Sequence, residues 1–212
     1  MKKPNRRALV VSSAVMTAAV LAACSSGGEG NRDPAKLTES PVASPSAAAR
    51  PTLTAPNLQP PLQDNKYTKS SSRPKVVVDP CTWVADSAIQ EAGFDPGSRR
   101  RGSDVVAENI FLTCNFKQGE DAVLALESGN VTLDEVRKKY PGDTEELIIN
   151  GRLAVKSKKD DSSGCSIDLQ TNAGYFGITV RTHTSGRTKG MQSCDNIVEI
   201  ATVLEPSIGK EN

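Results

Sequence analysis

The sequence predicts an α+β domain in which a mostly antiparallel sheet carries helices on one face, in the order α-β-β-α-β-β-β-α, with two disulfides. Short segments in which apolar and polar residues alternate, separated by turn-forming residues, are typical of antiparallel strands. Three segments whose apolar residues recur every three or four positions predict helices. Four cysteines lie in or beside these segments, and an even number favours pairing: Cys81, Cys114, Cys165 and Cys194.

The first helix is predicted to begin at Asp79-Pro80, because aspartate is a favoured N-cap and proline suits the first helical position. Apolar residues at helical spacing follow over residues 81–92, and Gly93 predicts the end of the helix. Residues 95–106 are polar and predict a loop. The loop contains Arg99-Arg100-Arg101, which is interpreted either as solvated charge or as a site for a phosphate-bearing polymer.

Two strands and a helix are predicted next. Residues 110–116 alternate with their apolar side chains on one face, and Gly119-Glu120-Asp121 turns the chain into a second strand over residues 122–126. Thr132 and Glu135 have the spacing of a capping box, which predicts the start of the second helix.

The last third of the chain predicts further strands and a final helix. Asn150-Gly151 is a favoured two-residue hairpin turn and joins two short strands. Two more strands are expected at residues 165–169 and 176–180, separated by a turn. A helical stripe of apolar residues then covers residues 194–204, and Pro206 ends it.

The N-terminus has a basic, apolar and small-residue pattern, in that order. Four basic residues precede an apolar run over residues 8–20, and the motif Leu21-Ala22-Ala23-Cys24 follows. This layout predicts a secretory signal peptide over residues 1–23. The motif resembles the lipobox of bacterial lipoproteins, whose cysteine receives a diacylglycerol and becomes the mature N-terminus. The resemblance implies that Cys24 anchors the protein to the outer face of the cytoplasmic membrane, facing the cell wall.

An uncleaved membrane helix with an incidental thiol at Cys24 is the alternative interpretation. The apolar run is shorter than the roughly 20 residues that a spanning helix needs. It is also interrupted by Ser12, Ser13 and Thr17. These features favour cleavage and lipidation, and two acyl chains suffice for stable attachment.

Composition changes sharply after the signal peptide. Residues 24–75 are rich in Ser, Pro and Ala with few large apolar residues, which predicts a disordered tether. This tether holds seven basic and four acidic residues, a charge that anionic lipid head groups would attract. Residues 76–212, the predicted folded domain, hold 15 basic and 21 acidic residues. An acidic domain argues against nucleic acid as a partner, because nucleic-acid binding needs a basic face.

The four remaining cysteines predict two disulfides, since an exported chain folds in an oxidising compartment. Three pairings are possible. Cys81–Cys114 and Cys165–Cys194 are favoured because each joins a helix stripe to an inward strand position. A zinc site is the alternative, but the chain has no C-x-x-C and its one histidine, His183, has no partner at ligand spacing. No metal and no cofactor are therefore expected.

The order of these motifs resembles a known family. The lipobox, the low-complexity tether, Asp79-Pro80-Cys81, Cys114 in the first strand, Asn150-Gly151-Arg152 before a strand and the two late cysteines look like the actinobacterial lipoproteins grouped as domain of unknown function 3558. The resemblance covers roughly residues 76–206. It implies an exported, disulfide-bonded domain and no assigned reaction.

Residues that would carry catalysis are sparse. His183 could pair with Ser185 or Ser193, but no G-x-S-x-G elbow precedes any serine. Glu145-Glu146 and Asp160-Asp161 lack an EF-hand pattern and are interpreted as solvated charge. The chain is therefore expected not to be an enzyme.

One face of the predicted sheet is the candidate binding surface. Helices following the cysteine stripe should cover the face that carries Cys114, leaving the other face at least partly open. That open face would carry Phe111, Tyr175, Thr179, Arg181 and His183, a mixture typical of recognition surfaces, although ordinary sheet-surface residues are the alternative. The sequence thus favours a non-catalytic module that binds an envelope ligand or protein partner. A structural accessory subunit of a membrane or cell-wall complex is the other possibility.

Overall fold

The computed structural model describes residues 53–158 and 164–212. Its centre is an eight-stranded sheet in the order β1-β3-β4-β8-β7-β6-β5, with β2 also paired to β3, and every described strand pair is antiparallel. The strands are β1 Asp95–Arg101, β2 Val105–Val106, β3 Ile110–Gln118, β4 Ala122–Gly129, β5 Thr144–Ile149, β6 Arg152–Ser157, β7 Gly164–Gln170 and β8 Tyr175–Thr182. The α-helices are α1 Lys66–Ser70, α2 Pro80–Trp83, α3 Asp86–Glu91, α4 Leu133–Lys139, α5 Thr184–Thr188 and α6 Ile197–Leu204.

The main core lies between α2, α3 and α6 and one face of the sheet, which we name the cysteine face. Alternation along the strands places every second side chain on this face, as expected for extended chain. The helices contribute buried apolar residues to the same cluster, including Ile89 of α3 and Leu204 of α6. The strand residues in this cluster include Cys114, Phe116, Leu124, Leu126, Cys165, Ile167, Leu169, Phe176, Ile178 and Val180.

Both predicted disulfides are confirmed. Cys81 of α2 bonds to Cys114 of β3, and Cys165 of β7 bonds to Cys194 just before α6. Each bridge therefore fastens a helical segment to the cysteine face. The bridged residues are 33 and 29 positions apart. Closing a loop of that size lowers the entropy of the unfolded chain, which stabilises the folded state by roughly 3–4 kcal/mol for each disulfide.

Helix α4 lies on the opposite face, which we name the second face. Its Leu133 and Val136 form a buried cluster with Val155 of β6 and Tyr175 of β8. The α+β architecture is confirmed, but the helices are not confined to one face, because α4 covers part of the second. The predicted capping box at the start of α4 is present.

The predicted first helix is divided in two. Asp79 caps α2 as expected, accepting hydrogen bonds from the backbone N of Cys81 and of Thr82. Val84 and Ala85 are extended, and α3 begins after them. Arg99 makes this break stable, because its guanidinium donates to the carbonyls of Cys81 and Val84 at 3.0 and 2.8 Å.

The predicted loop over residues 95–106 contains a strand, β1, at the edge of the sheet. Its inward positions are arginines rather than apolar residues, so the usual alternation is absent. Arg101 donates to the carboxylate of Asp79 at 2.8 Å, and Arg99 lies over the ring of Phe116 at 4.8 Å from its centroid. The structure has four strands between α4 and α6, which agrees with the four segments predicted there, although the predicted order α-β-β-α-β-β-β-α counts only three.

Residues 53–75, assigned to the tether from composition, pack against the domain. Leu58 is buried in the main core, and the side chain of Gln63 pairs with the backbone N and O of Val76 at 2.9 and 2.8 Å. Few of these residues are apolar, so hydrogen bonds rather than burial fix most of the segment. The predicted boundary at residue 75 is thus too late, and the folded part extends at least to Leu53, which packs against the core. Cys24 and the signal peptide lie outside the described residues. Within those residues, no helix has the length and apolar character needed to span a membrane.

Candidate functional site

A groove of about 730 Å³ lies on the second face of the sheet. Four of the residues predicted for a binding surface line it together: Phe111 of β3 and Tyr175, Thr179 and Arg181 of β8. The strand alternation used to place them on the face opposite the cysteines is therefore correct. The volume lies in the range of sites that hold small-molecule ligands, about 300–1,000 Å³.

The floor of the groove is built from short side chains on three adjacent strands. Asn115, Ala125 and Thr179 stand side by side on β3, β4 and β8. On the neighbouring row, Glu127 stands between a threonine of β3 and Gly177 of β8. Because these side chains are short or half-buried, they form the bottom of the groove, and the helix and loops around them form its walls. Helix α4 contributes Glu135, Val136 and Lys139 to the lining, and the loops on either side of β2 contribute Ser103 and Asn109.

Tyr175 is buried at one end of the groove, with 5% of its surface exposed. The expectation that Tyr175 belongs to an open surface is therefore wrong, because α4 covers it. Two strand glycines make room for the ring. A Cβ atom at Gly129 would lie 2.9 Å from the ring of Tyr175 and 3.0 Å from that of Phe111, and one at Gly177 would lie 3.0 Å from Tyr175.

The hydroxyl of Tyr175 donates a hydrogen bond to Oε1 of Glu127 in the groove. Burial, reinforced by the negative charge of Glu127, raises the pKa of Tyr175 far above its usual range. The phenol therefore stays a neutral donor and fixes the orientation of the carboxylate. The other carboxylate oxygen, Oε2, accepts no hydrogen bond from the described residues, so Glu127 offers an acceptor to the groove.

The α4 wall is held in place from outside the groove. Glu135 accepts hydrogen bonds from the backbone N and hydroxyl of Thr132, both at 2.9 Å, and from Nη1 of Arg73 at 3.0 Å. Arg73 also donates to the carbonyl of Asn130 at 3.0 Å. The hydrogen bond from Arg73 is the main reason that the pKa of Glu135 falls to about 2. Glu135 is thus a compensated charge that joins α4 to the N-terminal segment.

Several polar groups in the groove have no partner among the described residues. The side chains of Asn109, Asn115 and Arg181 make no hydrogen bond or ion pair there. The rings of Phe111 and Tyr140 provide flat apolar surfaces beside them. The groove therefore combines aromatic faces with available donors and acceptors, as ligand sites commonly do.

His183 does not line this groove. It is exposed at the start of α5, where its backbone N donates to the carbonyl of Asp121 at 2.7 Å. Ser185 donates to the carbonyl of Glu120, and Ser193 donates to the hydroxyl of Thr182. None of the described hydrogen bonds joins the imidazole to either serine.

The remaining candidates from the sequence lie elsewhere. Glu145 pairs with Lys156 at 3.0 Å and Glu146 with Arg137 at 2.6 Å, all on the surface. Asp160-Asp161 lies outside the described residues. Within the part of the chain that is described, no group of three or more His, Cys, Asp and Glu side chains is placed to hold a metal ion.

Sequence reasoning missed two important groove residues. Glu127 carried a usable signal, because it is the one charged residue in the otherwise apolar and small β4. Tyr140 carried none, since it follows the last turn of α4 and its position depends on how that helix docks.

A family model described as "Protein of unknown function (DUF3558)" matches residues 19–207. The matched region contains every described strand and the whole groove. No curated protein and no solved structure matches the chain.

Proposed function

Since the chain belongs to the DUF3558 family of proteins of unknown function, we propose that it is a non-catalytic binding module whose ligand occupies the groove on the second face. The groove itself is the observation that carries this proposal. Its walls and floor are held by contacts within the protein that need no ligand, among them Arg73 with Glu135 and Tyr175 with Glu127. A site that is formed in advance loses little conformational entropy on binding, which favours affinity.

The proposed location is the cell envelope, with Cys24 attached to the outer face of the cytoplasmic membrane through a diacylglycerol. The basic, apolar and small-residue order before Cys24 supports this. The two disulfides support it as well, because such bonds persist in oxidising compartments. The ligand would then be an envelope component, and Cys24 would keep the groove near it.

A second candidate function is that of an accessory subunit in a membrane or cell-wall complex. Ile148 and Leu153 support it, because they are 70% and 51% exposed and stand directly opposite each other in the β5–β6 hairpin. Exposed apolar side chains that lie together at the edge of a sheet, with no helix over them, are typical of protein–protein interfaces. The two functions therefore predict binding at different places.

The experiment compares the melting temperature of the full chain with and without an extract of the envelope of its native cell. A ligand at a concentration 100-fold above its Kd stabilises the folded state by about 2.7 kcal/mol. For a domain of this size that corresponds to a rise of roughly 5–10 °C. We expect this rise in the native chain and its loss in Ala125→Phe, which fills the floor of the groove.

The matched control is the double variant Ile148→Ser with Leu153→Ser, which alters only the hairpin surface. It should respond to the extract as the native chain does. If the hairpin variant alone loses the response, the accessory function is favoured over the groove. An extract that stabilises none of the variants, nor the native chain, contradicts the binding proposal.

A further inference from the structure

Three cations lie on the second face beside one end of the groove, and we name them the cationic end: Arg181 of β8, which lines the groove, and Arg100 of β1 and Lys117 of β3 next to it. The strand register places all three on the second face. Arg100 pairs with Asn115, while Lys117 and Arg181 both pair with Val123 from opposite sides. Two strand spacings separate Lys117 from Arg181, so their Cα atoms are about 10 Å apart. Side chains of this length can reach a common ligand across that distance.

The cationic end is not neutralised by the residues that the structure describes. None of its three side chains makes a hydrogen bond or ion pair with them. By contrast, Arg99 and Arg101, which flank Arg100 in sequence, point to the other face. Arg99 pairs there with Asp86 at 2.7 Å, and Arg101 pairs with Asp79.

The nearby carboxylates have other partners. Glu127 accepts from the neutral Tyr175 hydroxyl and keeps its charge, but it stands four residues along β4 from Val123, about 13 Å from the cationic end. Asp104 accepts from Arg101 and from the backbone N of Thr113. Asp95 is in register with Lys117 but accepts instead from the backbone N of Gly97, at 2.8 Å. Positive charge at this end is therefore available to a ligand, and it would be complementary to an anionic group.

The rest of the groove restricts what the anionic ligand can be. A fatty acyl chain would bury the Asn109 and Asn115 amides without replacing their hydrogen bonds to water, which costs free energy. A peptide that binds by adding a strand to the sheet needs a free strand edge. The floor strands β3, β4 and β8 have none, because each is paired on both sides.

A sugar ring matches these groups. Its C–H faces can lie on the rings of Phe111 and Tyr140, and its hydroxyls can bond to the two amides and to Glu127. We propose that the ligand is an acidic oligosaccharide, with its sugar rings in the groove and its anionic groups at the cationic end. This inference rests on the proposed function of the groove and adds the chemical class of its ligand.

The test is calorimetric titration of the full chain with three probes. Trigalacturonate has sugar rings and carboxylates, its methyl ester has the same rings without charge, and triglutamate has carboxylates without sugar. We expect trigalacturonate to bind about tenfold tighter than either of the others, and the difference to shrink as salt screens the charges. Arg100→Gln with Lys117→Gln and Arg181→Gln should remove the preference for the acid over the ester.

The matched control removes the same charge from exposed lysines elsewhere, as Lys69→Gln with Lys138→Gln and Lys210→Gln, and should bind like the native chain. Tyr140→Leu should weaken the acid and the ester equally, because it removes a ring and no charge. Folding of each variant is checked by its melting curve.

Each contrary outcome has a distinct meaning. Equal binding of acid and ester overturns the role of charge, and equal binding of triglutamate overturns the role of sugar. If no probe binds at millimolar concentration while the envelope extract still raises the melting temperature, the acidic sugar is wrong and the binding function stands. If the extract also has no effect, both proposals are wrong.

Discussion

The hydroxyl of Tyr175 donates a hydrogen bond to the carboxylate of Glu127 between the adjacent strands β8 and β4, beneath helix α4. The pair connects the buried end of the groove to its floor. Because the acceptor is charged, losing this hydrogen bond in Tyr175→Phe should cost about 1.5–3 kcal/mol of unfolding free energy. Urea unfolding at pH 7 measures the cost. Tyr140→Phe is the control, since the Tyr140 hydroxyl has no described hydrogen-bond partner and its removal should be nearly neutral.

The same tyrosine predicts a loss of stability at alkaline pH. Burial and Glu127 raise the pKa of Tyr175 in the folded state above its usual value near 10. The stabilisation is therefore complete below pH 10 and declines as pH rises above it, because the unfolded chain can lose the proton that the folded chain retains. Unfolding of the native chain and of Tyr175→Phe should be compared between pH 8 and 11. A variant that declines as steeply as the native chain would contradict the assignment.

Arg101 and Arg100 are adjacent in sequence and should differ greatly in their effect on stability. Arg101→Met leaves the carboxylate of Asp79 buried without its cation, and breaking a buried pair in this way costs about 3–5 kcal/mol. Arg100 is exposed on the other face, and Arg100→Met should stay within about 0.5 kcal/mol of the native chain. Thermal unfolding of the two variants checks the contrast. Equal effects would mean that the inward side of β1 is wrongly placed.

Glu135 predicts a loss of stability in acid. Its pKa is about 2 in the folded chain, against 4.5 for an ordinary glutamate, chiefly because of the hydrogen bond from Arg73. The stabilisation is thus present above pH 4.5 and is lost as pH falls towards 2. Glu135→Gln should flatten this part of the stability profile, measured by urea unfolding between pH 6 and 2.5. The control Glu145→Gln, on an exposed pair with Lys156, should keep the native slope.

Cys24 predicts the attachment of the protein to the membrane. Cys24→Ala should leave the chain unlipidated and uncleaved before residue 24, because the lipid acceptor is absent. Detergent partitioning and mass spectrometry of the mature N-terminus measure both effects, and Ser25→Ala serves as the control. A native N-terminus other than a lipidated Cys24 would exclude the lipoprotein interpretation.

The sheet was predictable where apolar side chains alternate, and β1 shows the limit of that signal. Strands such as β3 bury Cys114 and Phe116 on one face, so the period of two is visible in the sequence. In β1 the inward positions are Arg99 and Arg101, whose burial depends on partners in α2, α3 and the segment before them. Composition likewise hid the packing of residues 53–75, because side-chain hydrogen bonds such as those of Gln63 leave no periodic pattern.

The sequence predicted which face of the sheet carries the candidate site, but it did not predict that helix α4 covers part of that face. Alternation alone assigned Phe111, Thr179 and Arg181 to the second face, and the groove contains all three. The position of α4 over Tyr175 depends on the space above Gly129 and on the contact of Arg73 with Glu135. Both are long-range relationships, and no local pattern in the sequence encodes them.

The disulfides join the first cysteine of the domain to the second, and the third to the fourth. If the chain is exported N-terminus first, as proposed, Cys81 and Cys114 emerge together before either later cysteine. The first bridge can close without competition from the second half of the domain, even though β4 must wait for β8 to complete the centre of the sheet. With this order of emergence, the native pairing is also the one that forms earliest, and the need for thiol–disulfide reshuffling is small.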